Sequence, residues 1–326
     1  MQIEEKKGGV GLLNRRHLRI KVLQQLYSYI QSKNDNYPGA EKELIKSFDR
    51  IFDLYLYLLL TFSELKNVAE VKSEGNKKKI LPSENDLNPN MKLVNNQVIE
   101  ILENSAEFRR LSEEHKINWV GAEHQEMFKK MYNAICESET YMHYMNSEAT
   151  GFEEDLNFMI ELFRHEIANF ELLQNFFEEE YASWIDDIDL VCQMVIKTLK
   201  SLNEDKHLRL IPLYKEGDDE KEFVLELFRK TISLDKENEA LIDELTKNWE
   251  LDRIAKMDII LMKMAITELL IFNNIPTKVT LNEYIEISKF YSTPKSNIFI
   301  NGVLDNAISR LTAENKIVKI GRGLMN

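Results

Sequence analysis

Turn-forming residues are scarce in this chain. Eleven glycines and six prolines among 326 residues fall well below the ~12% of ordinary usage. That shortage excludes collagen, Gly-rich linker architectures and most β-sandwiches, and it predicts long helices with few breaks. Cysteine is almost absent: Cys136 and Cys192 cannot build a disulfide framework or a zinc site by themselves and read as small, reduced core residues. Long apolar runs are missing as well. The greasiest, 51–62, contains Asp53 and is too short to span a bilayer. The opening MQIEEKKGGVG carries no apolar stretch behind its basic residues, unlike a secretory signal, so a cytoplasmic protein without a membrane segment is expected. No Gly-rich phosphate loop, His-Glu-x-x-His, nucleophile elbow or Glu-x-x-His pair is present. His124-Gln125-Glu126 and Arg164-His165-Glu166 stand isolated on helical patterns. The expectation is a protein that is not an enzyme and takes no cofactor or metal.

What is present is charge, unevenly placed. The formal net charge is −13. The stretch 137–190 holds fifteen acids and one base, Arg164, and so carries −14. The remainder is close to neutral, with basic ends: Lys6, Lys7, Arg15, Arg16, Arg19 and Lys21 at the front, and Lys316, Lys319 and Arg322 at the back. Such a chain is no general polyanion binder; any nucleic acid must be held by a local patch. The acidic block reads as a solvated helix face or as a docking surface for a basic partner.

Periodicity predicts helices throughout and no sheet, an all-α protein. Residues 13–31 form one helix on Ile20, Leu23, Tyr27 and Ile30, and residues 41–73 a long one. Residues 33–39 read as a turn and 75–90 as a loop, and helical patterns resume at 91–104, 105–116, 123–145 and 152–183. Residues 250–272 form another helix. Thr280 with Glu283 has the form of a capping box opening the next, and Ser296 can cap the last. Gly302 falls inside that last helix, where close approach of a neighbour would compensate its cost of about 1 kcal/mol. NFMIELFR (157–164) and EFVLELFR (222–229) echo one another at an offset of 65 residues. Trp184 and Trp249 share that offset, and a slightly shifted alignment pairs Asp189 with Asp258, the pattern of a partial duplication.

Arg15, Arg16 and Arg19 occupy a ~100° arc of the first helix. One turn later the same arc holds Ile20, Leu23, Leu26 and Ile30. Three desolvated guanidinium groups would be far too costly, so the core should end near Arg19 and the three groups should project past it. Cations at a helix N-terminus oppose its dipole, an arrangement that suits a bound phosphate.

Two segments together resemble the NusB family of transcription antitermination factors. LNRRHLRIKVLQQLY (13–27) is similar to that family's Arg-rich first helix. MDIILMKMAITEL (257–269), the NIP turn, VTLNEYIEISKFY (279–291) and SNIFINGVLD (296–305) are similar to its C-terminal run. The resemblance implies a NusB-like helical bundle of two subdomains, here with an additional helical insertion. The expected organisation is a disordered tail 1–12, an N-terminal helical region 13–150, an acidic insertion 151–220, a C-terminal subdomain 221–316 and a basic tail 317–326. It implies binding of boxA-type single-stranded RNA in ribosomal RNA transcripts, together with NusE, a small-subunit ribosomal protein, within the transcription elongation complex, and no catalysis. By position, Arg15, Arg16 and Arg19 match the arginine motif that meets RNA. His17 stands where the family often has another arginine. Tyr27 closes the first-helix motif, Tyr291 and Phe299 match aromatic positions near the RNA surface, Lys295 lies in the loop before the last helix, and Asp258 matches an acidic position on the NusE surface. Core packing competes with RNA contact as the reading of all three aromatics. The rival for the whole chain is a helical protein-interaction scaffold that has lost RNA binding.

Overall fold

The computed structural model describes residues 13–32, 36–202, 207–214, 219–246 and 254–324. The tail 1–12, part of the 33–39 turn, Trp249 and the start of the expected 250–272 helix lie outside them. Among the described residues every regular element is helical, as the scarcity of Gly and Pro predicts. None of these helices is long and apolar enough to cross a membrane.

The chain forms two compact units. The first combines residues up to Phe48 with those from Leu213 onward, and the second comprises Asp49–Pro212. The first contains α1 (Arg15–Ser32) and the start of α2 (Tyr37–Lys77). It also holds α11 (Glu220–Ser233), α12 (Asp235–Leu245), α13 (Lys256–Ile271), α14 (Thr277–Tyr291) and α15 (Ser296–Ala313). Its axis is α13, in which every residue from Ile260 to Leu269 is buried. With apolar residues on every side the helix must be enclosed, and α13 packs against α1, α11, α12, α14 and α15, its buried Lys263 and Glu268 each paired with opposite charge. Leu18, Val22, Leu23 and Leu26 of α1 and Phe223, Val224, Leu227 and Phe228 of α11 complete the core with Ile300, Val303, Leu304 and Ala307 of α15.

The second unit is built on the remainder of α2, whose Leu54, Tyr55, Leu58, Leu59 and Phe62 are fully buried. The other helices are α3 (Glu84–Leu87), α4 (Gln97–Asn104), α5 (Ala106–Glu114), α6 (Ala122–Glu137), α7 (Glu139–Asn146), α8 (Phe152–Leu162), α9 (Glu171–Glu180) and α10 (Trp184–Lys200). A π-helical turn, Phe163–Ile167, continues α8. The expected boundaries at 150 and 220 do not coincide with these units. Helix α8 packs on α4, α7 and α10, burying Leu156, Phe158, Met159, Leu162 and Phe163. Apart from the buried Asp155 and Asp187, the acids of this stretch therefore lie on the outer side of helices whose apolar side belongs to the same core as α2 and α4.

Local expectations are corrected at several points. Helix α2 runs on to Lys77, into the expected 75–90 loop. Helix α14 begins at Thr277 after Pro276, so Thr280 lies inside it and caps nothing. Ser296 is the first residue of α15, not its cap. A Cβ added at Gly302 would meet nothing within 4 Å, so no neighbouring helix explains that glycine. Asp189 is exposed whereas Asp258 is buried, so the paired positions of the internal echo sit in different environments.

Candidate nucleic-acid interface

The Arg-rich end of α1 is capped before any ligand arrives. Asn14 Oδ1 accepts the backbone N–H groups of Arg16 and His17, each at 3.0 Å. Asparagine is a strong N-cap because it satisfies these orphan donors. A phosphate at this end would meet side chains and not these two amides.

The three arginines occupy three different environments. Arg19 is 1% exposed, which corrects the expectation that all three guanidinium groups project. Its Nε and Nη2 donate to Glu268 at 2.7 and 2.6 Å, and its Nη1 donates to the Arg15 carbonyl at 3.0 Å. Glu268, fully buried, also accepts from Thr280 Oγ1 at 2.8 Å and from the Tyr284 hydroxyl at 3.1 Å. The buried carboxylate thus has four donors, and the buried guanidinium has a bidentate partner, the condition under which an ion pair is tolerated in a core. Burial and the Glu268 charge together push the Tyr284 phenol well above its usual value. Arg16 is 41% exposed and reaches Glu283 of α14 through Nε and Nη2, both at 2.9 Å. The hydrogen bonding to Glu283 raises its pKa against the opposing effect of burial. Arg15 is half-buried, its guanidinium 5.0 Å from the centre of the Phe223 ring. Burial, with Arg16 and Lys21 nearby, holds His17 below the ordinary imidazole value. Its buried Nδ1 has no hydrogen-bond partner.

Helix directions fix how these residues relate to the aromatic positions. Helix α13 runs antiparallel to α1: Lys256 meets Gln31 at one end and Glu268 meets Arg19 at the other. It also runs antiparallel to α14, with Asp258 bonded to Ser296, just beyond the end of α14, and Glu268 to Thr280. Helices α1 and α14 are therefore parallel. Eleven residues separate Arg16 from Tyr27, which returns Tyr27 to within about 20° of the Arg16 direction, roughly 16 Å along the axis. Seven residues separate Glu283 from Phe290, which places Phe290 on the Glu283 face roughly 10 Å along. A strip thus begins at the Arg16–Glu283 pair and ends near Tyr27 and Phe290. Tyr27 is at the edge of exposure and accepts from Gln31 Nε2 at 3.0 Å. Phe290 is 80% exposed. Tyr291 and Phe299 are half-buried and Lys295 is exposed.

Asp258 departs from its expected place on a surface. It is buried, accepting from Ser296 Oγ at 2.7 Å and from the Ser292 hydroxyl. Ser292 Oγ lies 3.0 Å and Thr293 Oγ1 2.8 Å from Ser296 Oγ. The carboxylate organises the turn that presents Lys295. The basic tail is likewise partly engaged. Lys319 Nζ donates to the Leu269 and Phe272 carbonyls, each at 3.1 Å, satisfying the end of α13, and burial lowers its pKa.

Sequence reasoning missed Asn14, Phe223 and Phe290. Phe290 lies off the buried stripe of α14 formed by Tyr284 and Ile287, and that mismatch was its available signal. Asn14 directly precedes the helix, in the position of a cap. Phe223 carries no local signal, because its arginine partners lie some 200 residues away.

Comparison with known proteins bears on the C-terminal part of this site. The NusB family profile matches residues 188–309. The chain is 43% identical over 115 residues to the transcription antitermination protein NusB of Salinibacter ruber, covering 35% of this chain and 71% of that protein. It is 39% identical over 106 residues to the protein of that name from Chloroherpeton thalassium, covering 32% of this chain and 50% of that one. For the Natranaerobius thermophilus protein of the same name the identity is 41% over 70 residues, covering 22% and 50%. The chain thus spans most of the first relative and half the length of the other two. No solved structure matches it. With an all-helical fold, a first helix of the expected kind and this identity over most of a curated relative, the chain belongs to the NusB family.

Proposed function

We propose that this chain is an RNA-binding transcription antitermination factor of the cytoplasm. It engages a boxA-type single-stranded element in ribosomal RNA transcripts, together with NusE in the elongation complex. The observation that carries the reading is the strip on α1 and α14, with Arg15 and Arg16 at one end, Tyr27 and Phe290 at the other, and Lys295 on the following turn. Single strands are bound by cations along the phosphates and by aromatic faces beneath unstacked bases, each stack contributing about 1–3 kcal/mol. Arg19 acts through the buried pair that holds α1 against α13 and α14. Tyr291 and Phe299, half-buried, flank the Lys295 turn in sequence. Asp258 serves the NusE contact by shaping that turn and the start of α15, where Ile298 is exposed.

The test is fluorescence anisotropy of a U-rich single strand against the full chain over a salt series. Phosphate contact predicts a fall in log K with log salt of about 0.7 per phosphate neutralised on a single strand. Replacing Arg15 and Arg16 by Ala should flatten that slope by about one to two phosphates while lowering the melting temperature by no more than a few degrees. Binding that is flat with salt, or intact in the double variant, favours the scaffold reading.

A further inference from the structure

The second unit carries a feature unrelated to the RNA strip. Helix α2 ends at Lys77, and the chain turns through Lys78, Lys79, Ile80 and Leu81. Ile80 is 99% exposed and Leu81 89%. The turn is an ordered one. Lys78 N–H donates to the Gly75 carbonyl and Lys79 N–H to the Asn76 carbonyl, both at 3.2 Å. Lys79 pairs with Asp86 at 2.9 Å, and Ser83 and Asp86 form a reciprocal capping box. Two adjacent aliphatic side chains are therefore held out in water by a fixed scaffold. Scattered single exposed apolar residues need no explanation, but such a tip does.

A receptor of the matching kind lies on the same helix. Between α2 and α6 runs an open groove of about 540 Å³, with Val68, Val71 and Phe128 as its apolar lining and Lys72 and Lys129 on its rim. Val71 is 69% exposed. Val68, Val71 and Gly75 follow at helical spacing on one face of α2. Gly75 is exposed, and a Cβ there would meet nothing within 4 Å, so another backbone can approach closely at that position.

We infer that this face is a two-fold interface between copies of the chain, in which Ile80 and Leu81 of each copy enter the Val68–Val71–Phe128 groove of the other. The geometry requires no further element. Along the chain Gly75 lies midway between the groove residues Val68 and Val71 and the tip at Ile80 and Leu81, so a two-fold axis passing there brings each tip toward the groove of the other copy, and both grooves are filled at once, as an isologous contact demands. Charge allows it here. The chain carries −13 overall, yet 64–86 holds five acids and five bases, so two copies meet across a neutral face while the acidic helices repel elsewhere.

Sedimentation velocity on the full chain over a concentration series tests the inference. A monomer–dimer equilibrium is expected. L81D and V71D should each weaken it at least tenfold while leaving the circular-dichroism melt unchanged, since both side chains are exposed. Mixing the two variants should restore part of the dimer, because the intact tip of V71D meets the intact groove of L81D. A G75C variant should form a disulfide-linked dimer under mild oxidation where the parent does not, marking the axis. A chain that stays monomeric at every concentration overturns the interface, as does a dimer indifferent to both substitutions or one that G75C fails to link.

Discussion

Removing the Arg19 guanidinium should unfold more than it unbinds. In Arg19→Met the Glu268 carboxylate keeps only the Thr280 and Tyr284 hydroxyls and loses two charge-assisted bonds of 2.7 and 2.6 Å in a site with no exposed surface. Breaking a buried pair by deleting one partner costs about 3–5 kcal/mol, because a charge is left uncompensated. Against a total stability of ~5–15 kcal/mol, that is a large fraction. At ~2–4 °C per kcal/mol for a chain segment of this size, the melting temperature should drop by roughly 6–20 °C. The double variant R19M/E268L removes both charges and should recover most of the loss. Its residue is about 1 kcal/mol for each hydroxyl left without an acceptor. Arg16→Met is the internal control: its pair with Glu283 is partly solvated and should contribute no more than ~1 kcal/mol. Differential scanning calorimetry on the four proteins decides the matter. If R19M melts with the parent, or R19M/E268L melts no higher than R19M, the buried pair does not hold α1 in place as argued.

Three further outcomes follow from the same geometry. Glu283→Gln should tighten binding of a U-rich strand several-fold in anisotropy, because Arg16 no longer has to leave a carboxylate; equal or weaker binding would mean that Glu283 does not compete with phosphate. Asp258→Ala should strip Ser292 and Ser296 of their acceptor, costing about 1–3 kcal/mol and speeding amide hydrogen exchange in 292–296; unchanged protection there would detach the turn from the carboxylate. His17, held below its ordinary value by burial, binds a proton less readily folded than unfolded. Stability contributed by its neutral form should be lost as pH falls through ~6.5 and below. His17→Phe should remove that part of the pH dependence, and equal slopes in urea titrations of both proteins would refute it.

Much of the first unit is legible in the sequence because its signals are local. The stripes of α1 and α13 and the break at Asn274-Ile275-Pro276 predict elements close to those found, and the quoted motifs point to the family. Errors arise where a side chain answers to a distant partner. Thr280 with Glu283 has the form of a capping box, but the Thr280 hydroxyl is taken by Glu268 on another helix, and the true start follows Pro276, which can close no earlier helical bond. Ser296 is claimed by Asp258 in the same way. The acidic stretch reads as an addition because its charge is the loudest local feature, whereas its place in the fold is set by the apolar residues between the acids.

The arginines carry the general lesson. Arg19 lies three and four residues before Val22 and Leu23, within the apolar stripe of α1. Glu268 lies four residues after Met264 and seven after Leu261, within the stripe of α13. An ionised residue on a buried stripe must be neutralised by an equally buried opposite charge, so two such residues on helices predicted to pack against each other identify one another. Arg15 and Arg16 precede the stripe, where no such demand exists: Arg15 is half-buried and Arg16 pairs with the partly exposed Glu283, so neither is enclosed in the core as Arg19 is. Within a single motif, position relative to the apolar stripe separates the cation that builds the fold from those that can face a ligand.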